Sequence, residues 1–290
     1  MVQRMRLCRF AADAETSVRV GLITDGDTLL DLTAAGITGM QNLLERSDLS
    51  DELGRLTRAG LPQRQLADVR LMTPVESQEV WAAGVTYLRS KQARMVESEF
   101  SADAYDRVYE AARPELFFKS MPGKVVSPGD AVGIRSDARW NVPEPELALV
   151  INSSARIVGF TIGNDMSSRD IEGENVLYLP QAKIYARSCA VGPWIVVGPT
   201  EDDVRGWTIA LEIQRRAEQV FGGETRASQI KRSFAELVEY LFRSQHFPNG
   251  VVLLTGAGVI PPDAFTLAAD DRVRITISGV GTLENSVAVI

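Results

Sequence analysis

The sequence predicts an α+β protein that is mostly β, with a small N-terminal α/β domain over residues 1–72 and a larger domain over 73–290. Three observations predict it. From Leu116 onward short β-like runs recur between glycines and prolines. One amphipathic helix interrupts those runs late in the chain. Pro62 and Pro74 bracket a joint that follows an opening of short strands and two short helices.

The elements follow in order. Residues 5–32 read as short strands: Ser17–Ile23 alternates, and Asp25–Gly26 supplies a hairpin turn before Thr28–Leu32. Met40–Glu45 and Leu49–Ala59 read as short helices, and Val80–Val85 as a buried strand. Tyr87–Ala112, rich in Glu, Lys, Arg and Ala, is expected to be an exposed helix or a lid over a site. Further strands are expected at Leu147–Ile151, Ile157–Ile162, Ile195–Val197, Ile209–Ile213, Val251–Leu254 and Val273–Ile277. Within Ser228–Gln245, the residues Ile230, Phe234, Leu237, Val238, Leu241 and Phe242 recur at helical spacing.

Composition removes several function classes. With 31 basic and 38 acidic residues the net charge is −7, which disfavours binding to a nucleic-acid backbone. No apolar run approaches the roughly 18 residues of a membrane span, and the opening MVQRMRLCRF lacks a signal-peptide core. A cytoplasmic protein without a membrane partner is expected. Two cysteines, Cys8 and Cys189, without a CxxC pair exclude a disulfide framework and a thiolate zinc site. The single histidine, His246, follows the amphipathic helix, where it reads as a partner for the helix end. Carboxylates, lysines and hydroxyls are left to carry chemistry, and Mg²⁺ is the metal that such donors suit.

The densest chemistry lies between Trp140 and Pro193. In Pro143-Glu144-Pro145-Glu146, ahead of an apolar run, both glutamates fall on one face of a strand. The spacing alone carries little, because 38 acidic residues in 290 produce about five such pairs by chance. A solvated edge strand would look the same. The following strand improves the case. If Ile157–Ile162 returns as a hairpin, Gly163-Asn164-Asp165 brings Asp165 toward Glu144 and Glu146, and three carboxylates can face one Mg²⁺. Lys183, in an apolar stretch, could restore neutrality or could snorkel to the surface. Arg169 and Asp170 could orient Asp165 from behind or form a surface ion pair. Thr255, in Leu254-Thr255-Gly256, could sit by a glycine loop whose N–H groups meet an anion, or by an ordinary turn.

Taken together, Glu144-Pro-Glu146, Gly163-Asn-Asp165, Ser168-Arg169-Asp170, Lys183, Gly192-Pro193 and Leu254-Thr255-Gly256 resemble the fumarylacetoacetate hydrolase superfamily, from about Trp81 to the C-terminus. The resemblance implies a C-terminal mixed β-sandwich roll with a Mg²⁺ site, where Mn²⁺ or Ca²⁺ can substitute. It maps the metal ligands onto Glu144, Glu146 and Asp165 and an active-site lysine onto Lys183. It also implies a small 2-oxo acid substrate and a homo-oligomer, either a dimer or a tetramer.

The departures choose among reactions. Hydrolytic members carry Gly-x-Asn-Tyr, then a histidine and a glutamate that activate water; here Gly84-Val-Thr-Tyr87 is followed by Ser90 and Ala93 at those positions. Hydrolysis is therefore disfavoured. The runs Gly84–Lys91, Arg113–Lys119, Ile171–Lys183 and Ser188–Pro193 resemble the 2-keto-3-deoxy-D-arabinonate dehydratase branch. That resemblance implies Mg²⁺-dependent loss of water to give 2,5-dioxopentanoate through an enolate. It makes Lys183 a base or an electrostatic stabiliser, and Glu115 a catalytic carboxyl group that helps the C4 hydroxyl leave. Thr255, Ser90 and Arg89 become substrate contacts. A C–C bond hydrolase of acylpyruvates, a decarboxylase of the same fold and a non-catalytic 2-oxo acid binder are the alternatives.

Overall fold

A hairpin organises the molecule. The strand Pro145–Ile151 pairs antiparallel with Ile157–Asp165, from Pro145 opposite Asn164 to Leu149 opposite Phe160. Its turn is set by Asn152, whose side-chain oxygen accepts from the N–H groups of Ser154 and Arg156 at 3.1 and 3.0 Å. Side chains alternate along both strands. Leu147, Leu149, Ile151, Phe160 and Ile162 enter one core with Ile209, Leu211, Ile275 and Leu283. Ala148 points the other way, into a cluster with Val191, Val252 and Leu254.

The computed structural model describes residues 5–12, 17–24, 26–87 and 107–290. Among them, the hairpin lies inside an eleven-stranded mixed sheet. On one side Ile157–Asp165 pairs with Cys189–Val197, which pairs with Met5–Ala12. On the other, Pro145–Ile151 pairs with Val251–Ala257, which runs parallel to Glu79–Gly84, itself paired with Glu115–Ser120. A five-stranded sheet shares the first core; its strands are Glu218–Arg226, Thr208–Arg215, Arg272–Ile277, Gly281–Val289 and Ala131–Ile134. Mostly β mixed sheets with few helices are thus observed as the sequence predicts.

The N-terminal strands extend the large sheet. Met5–Ala12 is also bound by Arg19–Ile23 and Val69–Met72. The helix Leu49–Thr57 buries Leu49, Leu53 and Leu56, one face of 3.6-residue spacing, against Leu7, Leu22, Ile195 and Val197.

Some boundaries differ from those expected. The late helix spans Phe234–Phe242, because the Ser233 side chain accepts from the Glu236 N–H and caps it there. Just before it, the Lys231 N–H donates to the Thr86 carbonyl at 2.9 Å, outside any helix ladder. The short helices Arg169–Glu174, Leu179–Lys183 and Glu201–Arg205 were not expected, since five or six residues carry too little periodicity. Val251–Ala257 stays a strand through Gly256, where a glycine loop had been expected. Of the proposed lid Tyr87–Ala112, residues 88–106 lie outside the described residues. Residues 107–110 are helical, and Arg232 donates to the carbonyls of Val108, Ala111 and Ala112.

Phe160, on the hairpin face away from Glu146, meets the rings of Trp207 and Phe234 with centroids 6.0 and 6.1 Å apart. Phe160→Ala is expected to cost about 3–5 kcal/mol of folding stability. Urea unfolding checks this, and the folded variant should still bind one divalent ion per chain.

Candidate metal centre and active site

The hairpin register creates the site. The Asp165 N–H donates to the Glu144 carbonyl at 3.0 Å, which sets the end of one strand beside the start of the other. The carboxylate oxygens of Glu144, Glu146 and Asp165 come within 4.8 Å of one another, and all three residues are buried. Between them and Gly84, Phe117 and Gly256 is a chamber of about 10 Å³, room for roughly one ion or water.

Three carboxylates in a dry place repel one another, and the surrounding side chains answer that cost. Lys183, fully buried at the end of its helix, donates to Glu144 Oε2 at 2.8 Å, Asp165 Oδ2 at 3.1 Å and Ser167 Oγ at 2.5 Å. Lys119, equally buried, pairs with Asp165 Oδ1 and donates to the carbonyls of Met166 and Lys183. Arg169 pairs with Glu144 Oε1 at 2.6 Å. Three positive side chains therefore face three negative ones. The sequence reading had credited Lys183 alone with neutralisation.

Glu146 is held differently. It accepts the Gly256 N–H, and Gly256 has φ +95° with a hypothetical Cβ only 2.0 Å from Thr86 Oγ1, so glycine is required there. Burial pushes the Glu146 carboxyl well above its ordinary value, and Asp165 and Glu144 push it further. Lys183 and the Gly256 N–H pull it back. A divalent cation fits this position. The donors are three hard carboxylate oxygens converging on an ion-sized chamber, and a cation there favours the ionised form that burial opposes.

Glu115 begins the strand Glu115–Ser120, and its carboxylate lies over Gly84, where an added Cβ would be 2.0 Å from Glu115 Oε2. It also lines a neighbouring cavity of about 430 Å³ with Arg113, Glu172, Val176 and Leu179. Two expectations need correction. Arg169 braces Glu144, not Asp165, because its guanidinium reaches the first hairpin strand. Asp170 accepts the Arg139 N–H at 2.7 Å in place of the expected contact with Asp165. The Thr255 hydroxyl donates to the Leu147 carbonyl at 2.8 Å. The anion met by the Gly256 N–H is Glu146 itself. Arg89 and Ser90 lie outside the described residues.

Sequence reasoning missed Lys119, Ser167, Glu172 and the role of Gly84. Glu115 and Phe117 share one face of their strand by alternation, but the register slips at Lys119, which falls between Phe118 opposite Trp81 and Ser120 opposite Val80, so alternation gives no signal for it.

The family described as fumarylacetoacetate (FAA) hydrolase C-terminal matches residues 79–288. The chain is 48% identical over 223 residues to a Haloferax volcanii protein named "Probable 2-keto-3-deoxyxylonate dehydratase", covering 77% of this chain and 76% of that one. It is 37% identical over 266 residues to 2-dehydro-3-deoxy-D-arabinonate dehydratase of Saccharolobus solfataricus, covering 90% and 89%. A structure of 2-keto-3-deoxy-D-arabinonate dehydratase in its apo form superposes with TM-score 0.83 at 34% identity over 99% of each chain. One complexed with magnesium and 2,5-dioxopentanoate gives 0.81 at 32%, again over 99% of each chain.

Two outcomes follow from the electrostatics. Glu146→Gln should lower divalent-ion affinity by at least about tenfold, read by titration calorimetry. Glu146 is raised when folded, so its contribution to stability is present below the ordinary 4.5 and is lost as pH rises through the raised value. Metal-free protein should lose Tm over that range, and the gain in Tm on adding Mg²⁺ should grow with pH. Glu146→Gln should flatten both trends.

Proposed function

The chain belongs to the fumarylacetoacetate hydrolase family, and from that premise we propose that it is a Mg²⁺-dependent dehydratase of a 2-keto-3-deoxy sugar acid, converting 2-keto-3-deoxy-D-arabinonate to 2,5-dioxopentanoate and water. The observation that carries this reading is the balanced set of three carboxylates and three basic side chains around one small chamber. With all six groups ionised, which a bound dication favours for Glu146, the side chains balance one another and the dication leaves the site doubly positive. A 2-oxo acid brings one negative charge as its carboxylate and a second when C3 loses a proton, so neutrality returns at the enolate. Binding is then strongest where charge develops.

Glu144, Glu146 and Asp165 would hold Mg²⁺, which when bound draws electron density from the C2 carbonyl and makes the C3 protons acidic. Lys183, held by Glu144, Asp165 and Ser167, offsets the enolate charge when it enters protonated, as the charge count takes it, or takes the C3 proton when it enters neutral, in which case the site is already neutral once substrate binds. Lys119 fixes that arrangement from behind by holding Asp165 and the Lys183 carbonyl. Glu115, at the border between chamber and larger cavity, protonates the departing C4 hydroxyl. Val108, Val176 and Leu179 give the larger cavity an apolar wall. Arg89 and Ser90 complete this reading as substrate contacts.

We place the enzyme in the cytoplasm as a homo-oligomer acting on a small molecule. Among the described residues no helix is long and apolar enough to cross a membrane.

The test is incubation with Mg²⁺ and 2-keto-3-deoxy-pentonates of both C4 configurations, and separately with an acylpyruvate, with and without EDTA. EDTA-sensitive 2,5-dioxopentanoate is the expected product, and Lys183→Met should slow its formation by roughly 10²-fold or more. Pyruvate released from the acylpyruvate, with pentonates untouched, would replace this reading by C–C bond hydrolysis.

A further inference from the structure

The reaction proposed above needs more proton transfers than Lys183 and Glu115 account for. Removing a C3 proton and the C4 hydroxyl leaves 5-hydroxy-2-oxopent-3-enoate, an enone that still carries an alcohol at C5. Reaching 2,5-dioxopentanoate requires isomerisation. A base takes one C5 proton, and that electron pair becomes the C4–C5 double bond. The C3–C4 pair moves to C2–C3, and the carbonyl pair moves onto oxygen. A proton then adds at C3 and the carbonyl reforms. Finally the C5 enol hydroxyl gives up its proton while C4 gains one. Carbon 5 and its oxygen each lose a hydrogen, C3 and C4 each gain one, and no oxidant enters.

The second half of this sequence needs a group at the C4–C5 end of the substrate. The chamber between the carboxylates holds about 10 Å³, room for an ion alone, and the cavity of about 430 Å³ beside Glu115 offers the space for the substrate's carbon chain. Glu115 lines that cavity, and its carboxylate lies over Gly84, which lines the small chamber. The other carboxyl lining the large cavity is that of Glu172, a buried residue among Val108, Val176 and Leu179. Glu172 is three residues from Arg169 on one short helix, so the two side chains project from one face. Arg169 is tied to Glu144, which turns that face toward the site.

We propose that Glu172 is a second catalytic carboxyl group, which takes the C5 proton of the enone and so completes the aldehyde. Glu115 acts on the hydroxyl at C4 and Glu172 on the carbon beyond it. This inference rests on the dehydratase reading.

The experiment follows wild type and Glu172→Gln with excess Mg²⁺, measuring substrate loss and both products by NMR and the enone by its ultraviolet absorption. The expected variant still consumes substrate but accumulates 5-hydroxy-2-oxopent-3-enoate, with 2,5-dioxopentanoate slowed by roughly 10²–10⁴-fold. Glu172→Asp, which retains a carboxyl group, should recover part of that rate and show a larger isotope effect than wild type with C5-deuterated substrate. That effect decides the matter if the Gln variant does not fold, and its absence would overturn the proposal. Unchanged formation of 2,5-dioxopentanoate by Glu172→Gln would also overturn it, as would equal loss of substrate consumption and product. A wild-type enzyme inert on both pentonates would instead remove the dehydratase reading, and this inference with it.

Discussion

Crowding three carboxylates within 4.8 Å in a buried chamber is the constraint on which the site depends. Ionised carboxylates out of water are costly unless paired or metal-bound, and each must also be oriented. The hairpin register supplies orientation, since Pro145 opposite Asn164 places Glu144, Glu146 and Asp165 at one end of two strands. Pairing comes from three other parts of the chain: Lys119 on a strand beyond the hairpin's neighbours, Arg169 on a helix after it, and Lys183 on the next helix. The large sheet and the helices after Asp165 thus meet at this charge cluster.

That arrangement explains why one scaffold can serve several reactions. In the function proposed, the carboxylate triad and its lysines meet what 2-oxo acids share, a carboxylate beside a carbonyl that becomes an enolate. What happens next depends on groups farther along the substrate, in the larger cavity, where Glu115 and Glu172 stand against Val108, Val176 and Leu179. Fold therefore sets the common step and the cavity sets the outcome. The same division accounts for Gly84. Its missing side chain leaves space for the Glu115 carboxylate at the border between the two compartments.

Much of this was legible in the sequence because it is local. Strand positions followed from alternation, and the pairing of Glu144 and Glu146 with Asp165 needed only a hairpin between adjacent runs. What escaped depends on distant chain segments or on short elements. Lys119 meets Asp165 across 46 positions, and nothing near Lys119 announces an anion. Arg169 and Asp170 are neighbours whose side chains diverge once a six-residue helix starts at Arg169, so Arg169 braces Glu144 while Asp170 holds the Arg139 backbone. Thr255 reads as a loop residue beside a glycine. In the fold Gly256 continues the strand and gives its N–H to Glu146.

The most direct test is a crystal structure of the protein grown with Mn²⁺ in place of Mg²⁺, where anomalous scattering locates the ion independently of the refined atoms. The account predicts one ion per chain, about 2.1 Å from one oxygen each of Glu144, Glu146 and Asp165, with Lys119 and Lys183 still on Asp165. An ion bound elsewhere, or a triad closed on its lysines with no ion between its carboxylates, would contradict it.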